Sequence, residues 1–187
     1  MQGALDNAIN NVAIGQKALE ELTTGDNNTV VGSLAGDAIT TSSNNTFVGE
    51  GAGGAMTGGD GQNVIVGRGA GDSATTAMSK CVYIGHDTGG QMDAGANNTA
   101  VGFAAMEGAS TGNDASLNVA VGYQSLLVVT DGDENVAVGY SSLTATTSGY
   151  SNVAIGPQAG KSINTGYANT VIGPRAGEEI TDGDNNI

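Results

Sequence analysis

Tryptophan is absent from this chain, and aromatic residues make up only 4% of it. A core built on large rings is excluded, so burial has to come from many small, mostly β-branched side chains. Cysteine occurs once, at Cys81, which rules out an intrachain disulfide and leaves the redox compartment open. Positive charge is scarce too: five Lys plus Arg against nineteen Asp plus Glu give a net charge of −14. Such a surface repels nucleic acid and anionic membranes, favours solubility and leaves room for divalent cations. No apolar run approaches the length of a membrane span, and the N-terminus is not laid out as a signal peptide, so membrane insertion is not expected.

What the chain has in excess is glycine, 32 residues without the G-X-Y period of collagen. The regular placement of Val and Ile argues against disorder. That regularity is a repeat. Aligned on the glycine that ends each short apolar run, Gly15, Gly32, Gly49, Gly67, Gly85, Gly102, Gly122, Gly139, Gly156 and Gly173 are spaced by 17, 17, 18, 18, 17, 20, 17, 17 and 17 residues. Ten copies of roughly N-x-x-[IV]-G-x-x-[AS]-x-x-x-φ-T-x-x-G-x, with φ apolar, cover residues 11–185. Residues 1–10 read as a short incomplete coil and residues 186–187 as the start of a further one, so 1–187 is a single repeat domain, expected to be a segment of something longer.

Each column has a physical reading. The residue before the glycine is always β-branched (Ile14, Val31, Val48, Val66, Ile84, Val101, Val121, Val138, Ile155, Ile172), and two residues earlier stands only Val or Thr. Strand alternation puts these two columns on one face, which is expected to point inward. A second apolar column follows seven residues after the glycine, at Leu22, Ile39, Met56, Ala74, Met92, Ala109, Val129, Thr146, Ile163 and Ile180, with Ala18, Ala35, Ala52 and Ala70 between. Each repeat then supplies two short strands whose inner faces meet. Asn opens the first strand in nine of ten copies, with Cys81 the exception, and stacked Asn side chains are expected to bond along the axis. Gly25, Gly59, Gly95, Gly112, Gly132, Gly149, Gly166 and Gly183 mark the other corner, where positive φ is expected.

A coil of this length at ~3.3 Å per residue has a perimeter of about 55 Å, and ten coils ~4.8 Å apart make a rod on the order of 50 Å long. The expected fold is all-β, a parallel β-solenoid, or β-roll. The middle residue of each run (Ala13, Val30, Phe47, Ile65, Tyr83, Ala100, Ala120, Ala137, Ala154, Val171) is never charged. With its neighbours inward, this column faces out. An outward column without charge predicts packing against further copies of the chain. The insertion between Gly102 and Gly122, around GASTGNDASLN, is expected to bulge as a surface loop.

NVAIGQKAL, NTVVGSLAG, NVAVGYQSL and NVAIGPQAG resemble the N-[TV]-A-[IV]-G-x-x-A-L repeats of bacteriophage tail-fibre proteins and related adhesins. They are also similar to the A-I-G repeats in the heads of trimeric autotransporter adhesins. The resemblance covers almost the whole chain. It implies a homotrimeric, usually left-handed β-roll acting as a rigid shaft or receptor-binding head, on a virion tail fibre or an extracellular surface. A host-surface glycan or protein is the implied receptor. The period of seventeen favours the phage-type fibre; a trimeric bacterial adhesin head is the alternative. Many such fibres continue into a self-cleaving trimerisation chaperone, which is not found in these residues. Neither family carries a catalytic residue onto this sequence.

Chemistry is weighed against this reading. GEGAGG from Gly49 and GRGAG from Gly67 look like phosphate loops, but no helix-length pattern follows, so no nucleotide cofactor is expected. Asp87 and Asp93 near His86, or the cluster Asp131, Asp133 and Glu134, could serve a polysaccharide hydrolase. Acidic turns are the simpler account, and no enzyme is expected. The same cluster, or Asp182 with Asp184, offers oxygen ligands to calcium without following a calcium-binding repeat, so no metal site is assigned. Thr23, Thr40, Thr57, Thr75, Thr130, Thr147 and Thr181 form a hydroxyl column, but the second parallel column that ice binding needs is missing beside it. The variable column after the repeat glycine, with His86, Phe103, Tyr123 and Tyr140, is exposed and suited to recognition. Cys81 reads as a small buried side chain.

Overall fold

A computed structural model describes residues 7–59, 61–73, 78–109 and 113–187. Ala74, Thr75, Gly112, part of the insertion and residues 1–6 of the short first coil lie outside the described residues. Among those described, each repeat forms one three-residue strand: β1 Val12–Ile14, β2 Thr29–Val31, β3 Thr46–Val48, β4 Val64–Val66, β5 Val82–Ile84, β6 Thr99–Val101, β7 Val119–Val121, β8 Val136–Val138, β9 Val153–Ile155 and β10 Thr170–Ile172. Every strand pairs in parallel with the next, in chain order from β1 to β10. Equivalent residues lie opposite each other, Val12 against Thr29 and Val119 against Val136. The chain is therefore a parallel β-solenoid.

The facing of the strands reverses the expectation. Val30, Phe47, Ile65, Tyr83, Ala100, Ala120, Ala137 and Ala154 are 0% exposed and form the core, while Ile14 and Ile172 are 59% and 65% exposed. The middle column points in, and the two β-branched columns point out. Volume decides this. The core is closed on its far side by the residue six positions after each middle residue, and the two are complementary in size. Opposite Val30, Phe47, Ile65 and Tyr83 stand Gly36, Gly53, Gly71 and Gly89; opposite Ala13, Ala100, Ala120 and Ala137 stand Leu19, Met106, Leu126 and Leu143. A methyl added to Gly53 would lie 2.7 Å from the Phe47 ring, so one large side chain per level fits and two do not.

Among the described residues the second strand of the repeat is not formed. Residues on that side alternate into the left-handed region, as at Lys17 (φ 62°), Leu19 (φ 51°), Gln124 (φ 52°) and Leu126 (φ 51°). Successive turns result, closed by bonds such as Leu22 N to Leu19 O, with intercoil bonds such as Leu19 N to Ala35 O. The second apolar column is nonetheless core: Leu22, Ile39, Met56, Met92, Val129 and Ile163 are buried, as are Ala18, Ala35, Ala52 and Ala70. Ala109 and Ile180 are only partly covered.

The Asn column forms the expected ladder. Asn135 N and Nδ2 both donate to Asn118 Oδ1, at 2.8 and 3.2 Å, while Asn135 Nδ2 also reaches Gly149 O at 2.8 Å. Where Asn opens the strand, its buried amide is satisfied in this way, and each link fixes the register of the next coil. The glycines at the corner need a different explanation from the one expected. Positive φ holds at Gly59 and Gly95, but Gly132 and Gly149 are not left-handed; a methyl on Gly149 would press on Gly166 O at 2.6 Å. Close approach of successive coils selects glycine there. The glycine ending each strand meets both demands: Gly122 has φ 132°, and its added methyl would lie 2.6 Å from Gly139 O.

Candidate interaction surface

The outer face of the sheet is an uncharged wall. One column runs Val12, Thr29, Thr46, Val64, Val82, Thr99, Val119, Val136, Val153 and Thr170, and the other from Ile14 to Ile172. All twenty positions are exposed or half-exposed. β-Branched side chains hold few rotamers, so a straight ladder of them makes a stiff, flat apolar surface. The column previously expected to pack against other chains is the core itself, so Ala120 is no interface residue.

Beside the wall, one position past each strand glycine, stands a stack of rings. His86, Phe103, Tyr123 and Tyr140 have centroids 5.3, 5.3 and 5.6 Å apart and planes within 18° of parallel. Phe103, Tyr123 and Tyr140 are about half exposed (46, 46 and 52%). Since they stack along the axis, they turn edges outward and give faces to one another. Arg68 continues the column, with Nη1 3.2 Å from His86 Nε2 and Nε 3.4 Å from Glu50 Oε2. A second, shorter stack pairs Tyr150 with Tyr167, 4.9 Å apart and 2° from parallel.

The glycine-rich coils carry a dent of about 390 Å³ lined by Leu34, Asp37, Glu50, Arg68, Asp72 and Asp87. It adjoins a smaller one of about 230 Å³ reaching Gln91 and Glu107. Asp72 leans over Gly54, where a methyl would lie 2.7 Å from Oδ1. Partial burial, then the charges of Asp37 and Asp87, hold its carboxyl above the usual carboxylate range against the opposing pull of Arg68. Partial burial and Asp87 do the same to Glu107. Gly51, Gly53, Gly69 and Gly71, from the two glycine motifs, all lie at left-handed φ; Gly51 and Gly69 line the dent beside the carboxylates of Asp72 and Asp87, while Gly53 and Gly71 face Phe47 and Ile65 in the core. Phosphate would meet negative charge there.

The acidic turns are structural. Asp133 Oδ1 accepts Ser116 N at 2.7 Å, Glu134 Oε2 accepts Ser151 Oγ at 3.0 Å, Asp182 Oδ1 accepts Thr165 Oγ1 at 2.8 Å and Asp184 Oδ1 accepts Tyr167 N at 3.0 Å. Asp133, Asp182 and Asp184 tie their coils to the preceding one, and Glu134 ties its coil to the next. Among the described residues, no three His, Cys, Asp or Glu side chains are grouped to hold a metal ion. His86 Nδ1 lies 2.8 Å from Asp87 Oδ2. The threonine column is occupied likewise: Thr23, Thr40 and Thr130 hydroxyls donate to Thr40, Thr57 and Thr147 carbonyls. Cys81 is buried, and burial pushes its thiol up.

Comparison with protein-family models, curated proteins and solved structures gives no match. The fold and these surfaces therefore carry the functional argument alone. Among the described residues no helix is long and apolar enough to cross a membrane. The dent and the wall were both missed from sequence, and one signal was available for the wall. A large middle residue is followed by glycine six positions later, at Phe47/Gly53, Ile65/Gly71 and Tyr83/Gly89, which only a shared interior requires.

Proposed function

We propose that the chain is a non-enzymatic structural segment of a phage-type tail fibre, assembled as a homotrimer in which the solenoids cover one another's walls. One observation carries the reading: a flat, charge-free double column of β-branched residues runs the length of a chain whose net charge is −14. A contiguous exposed apolar surface of this extent marks an interaction site. A second copy offers the same repeat spacing and brings no charge to the contact. Intercoil bonds at the Asn ladder and the turns supply stiffness, and three copies would present three identical outer surfaces for multivalent attachment to a host glycan or protein.

The test is mass in solution, measured by light scattering on the wild type and on a Val121→Glu, Val138→Glu double variant. The expected result is three times the chain mass of 18.3 kDa for the wild type and a folded monomer for the variant. A wild-type monomer sinks the proposal, and so does an unchanged variant mass.

The wall also favours a second reading. It supplies the two parallel exposed columns that ice binding requires and that the Thr23 column lacks, with hydroxyls at Thr29, Thr46, Thr99 and Thr170. A monomer that shapes growing ice crystals, and loses that effect in the same double variant, selects this reading over the fibre.

A further inference from the structure

We infer that the ladder His86–Phe103–Tyr123–Tyr140 is a binding site for a rod-shaped, planar aromatic cation lying flat along the solenoid axis. Four rings at steps of 5.3, 5.3 and 5.6 Å present parallel edges on the surface. A flat ligand laid over a row of edges buries apolar surface against every ring it crosses. A planar ligand laid across the ladder therefore gains an apolar contact at each coil, and a longer ligand gains more. Saccharides are disfavoured by the same geometry, because a sugar packs on ring faces and these faces are turned to one another.

Charge selects the sign of the ligand. The ladder rings themselves are uncharged apart from His86 when protonated, and Arg68 at the end of the row is paired with Glu50. The surrounding surface belongs to a chain with nineteen acidic and five basic side chains, and Asp87 and Glu107 lie on the adjoining turns. A cation is drawn to this surface and an anion repelled. The Tyr150–Tyr167 pair offers a single step and is an internal control for length. The site does not depend on the fibre reading, because the ladder lies within one chain.

The experiment titrates the wild-type protein, in its native assembly, with thioflavin T at low salt, followed by fluorescence and equilibrium dialysis. One dye per chain is expected, with affinity falling as salt screens the attraction. Tyr123→Ser, which splits the ladder, is expected to weaken binding by about tenfold or more. Phe103→Ser should do the same, and Tyr167→Ser should leave binding unchanged; circular dichroism checks that each variant keeps its fold. The anionic planar dye Congo red is expected not to bind at the ladder. The proposal is overturned by absence of saturable wild-type binding, by full affinity in folded Tyr123→Ser and Phe103→Ser, by loss in Tyr167→Ser, or by equal binding of Congo red that Tyr123→Ser removes.

Discussion

The coils of β2 to β5 and those of β6 to β8 fill the same interior in opposite ways. In the first group the strand supplies the bulk (Val30, Phe47, Ile65, Tyr83), and the facing turn is reduced to glycine. In the second the strand is reduced to alanine (Ala100, Ala120, Ala137), and the turn supplies Met106, Leu126 and Leu143. The turn position is left-handed in both, φ 62° at Gly53 and 51° at Leu126. Glycine adopts that conformation freely, whereas an L side chain there costs roughly 1–2 kcal/mol. Burying a leucine returns ~1.5–3 kcal/mol, so the second arrangement is tenable only because its strained residue is core. The β9 coil sharpens the rule. Ala154 and Gly160 are both small, and Leu143, Ile163 and Val171 close in on Gly160, where an added methyl would meet them at 2.9, 2.9 and 3.3 Å.

The largest expected effect comes from converting one arrangement into the other. Phe47→Ala removes the ring that abuts Gly53 and is expected to cost ~3–5 kcal/mol in denaturant unfolding. Gly53→Leu alone forces a side chain into that ring and costs about 1–3 kcal/mol, or more. Together they rebuild the Ala120/Leu126 pair at another level. The double variant should recover more than half of the loss from Phe47→Ala, a favourable coupling between neighbours. Additive losses would mean that the complementarity is incidental.

This pairing also explains what the sequence disclosed. The solenoid, its parallel register, the Asn ladder and the buried second apolar column all follow from the repeat period and hold in the structure. The facing failed because β-branched residues were given to the interior by propensity, while interior volume was fixed by the turn across from each strand. Val121 has the more strand-like, more hydrophobic side chain, yet Ala120 is inside, because Leu126 already occupies that level. The second strand failed for a related reason: a turn that alternates left-handed residues presents apolar side chains inward with nearly the spacing of a strand. Phe103, Tyr123 and Tyr140 were visible as an exposed column, but ring stacking between coils is a property of three dimensions. Asp72 draws its character from neighbours one coil away, Asp37 and Asp87, and nothing in its own repeat marks it.

The two groups meet at the β5 coil, where the Asn ladder is interrupted. Cys81 N still donates to Asn63 Oδ1 at 3.0 Å, and sulfur stands in for the amide, donating to Ser79 O at 3.4 Å and Gly95 O at 3.8 Å and meeting the backbone and side chain of Asn98. Cys81→Asn restores the residue that the nine other repeats carry. Exchanging the weak sulfur bonds to Asn98 and Gly95 O for amide ones, worth roughly 0.5–1.5 kcal/mol each, predicts a net gain of about 1 kcal/mol, read as a higher denaturant midpoint at unchanged slope. If the variant is instead destabilised, the thiol is filling space that an amide cannot, and the boundary between the two packing modes requires cysteine.

The smallest effect tests how the glycine-side packing shapes the surface charge. Removing side chains from the turns of β3 and β4 opens the dent in which Asp72 sits with Asp37 and Asp87. Partial burial and those like charges raise its carboxyl above the ordinary value. Just above the usual carboxylate range the folded chain therefore holds a proton that the unfolded chain has released. Unfolding there releases a proton, so this group's contribution to stability falls as pH rises through the window. Asp72→Asn removes the slope. Relative to the wild type, the variant should gain stability from mildly acidic to neutral pH in urea unfolding, with no relative gain below the ordinary carboxylate value. Glu107, raised in the same direction, stays in both proteins and leaves a common residual slope. A wild type that gains on Asp72→Asn as pH rises would place the dominant influence on Asp72 with Arg68, and the dent would then be an ion-paired surface rather than a pocket of uncompensated negative charge.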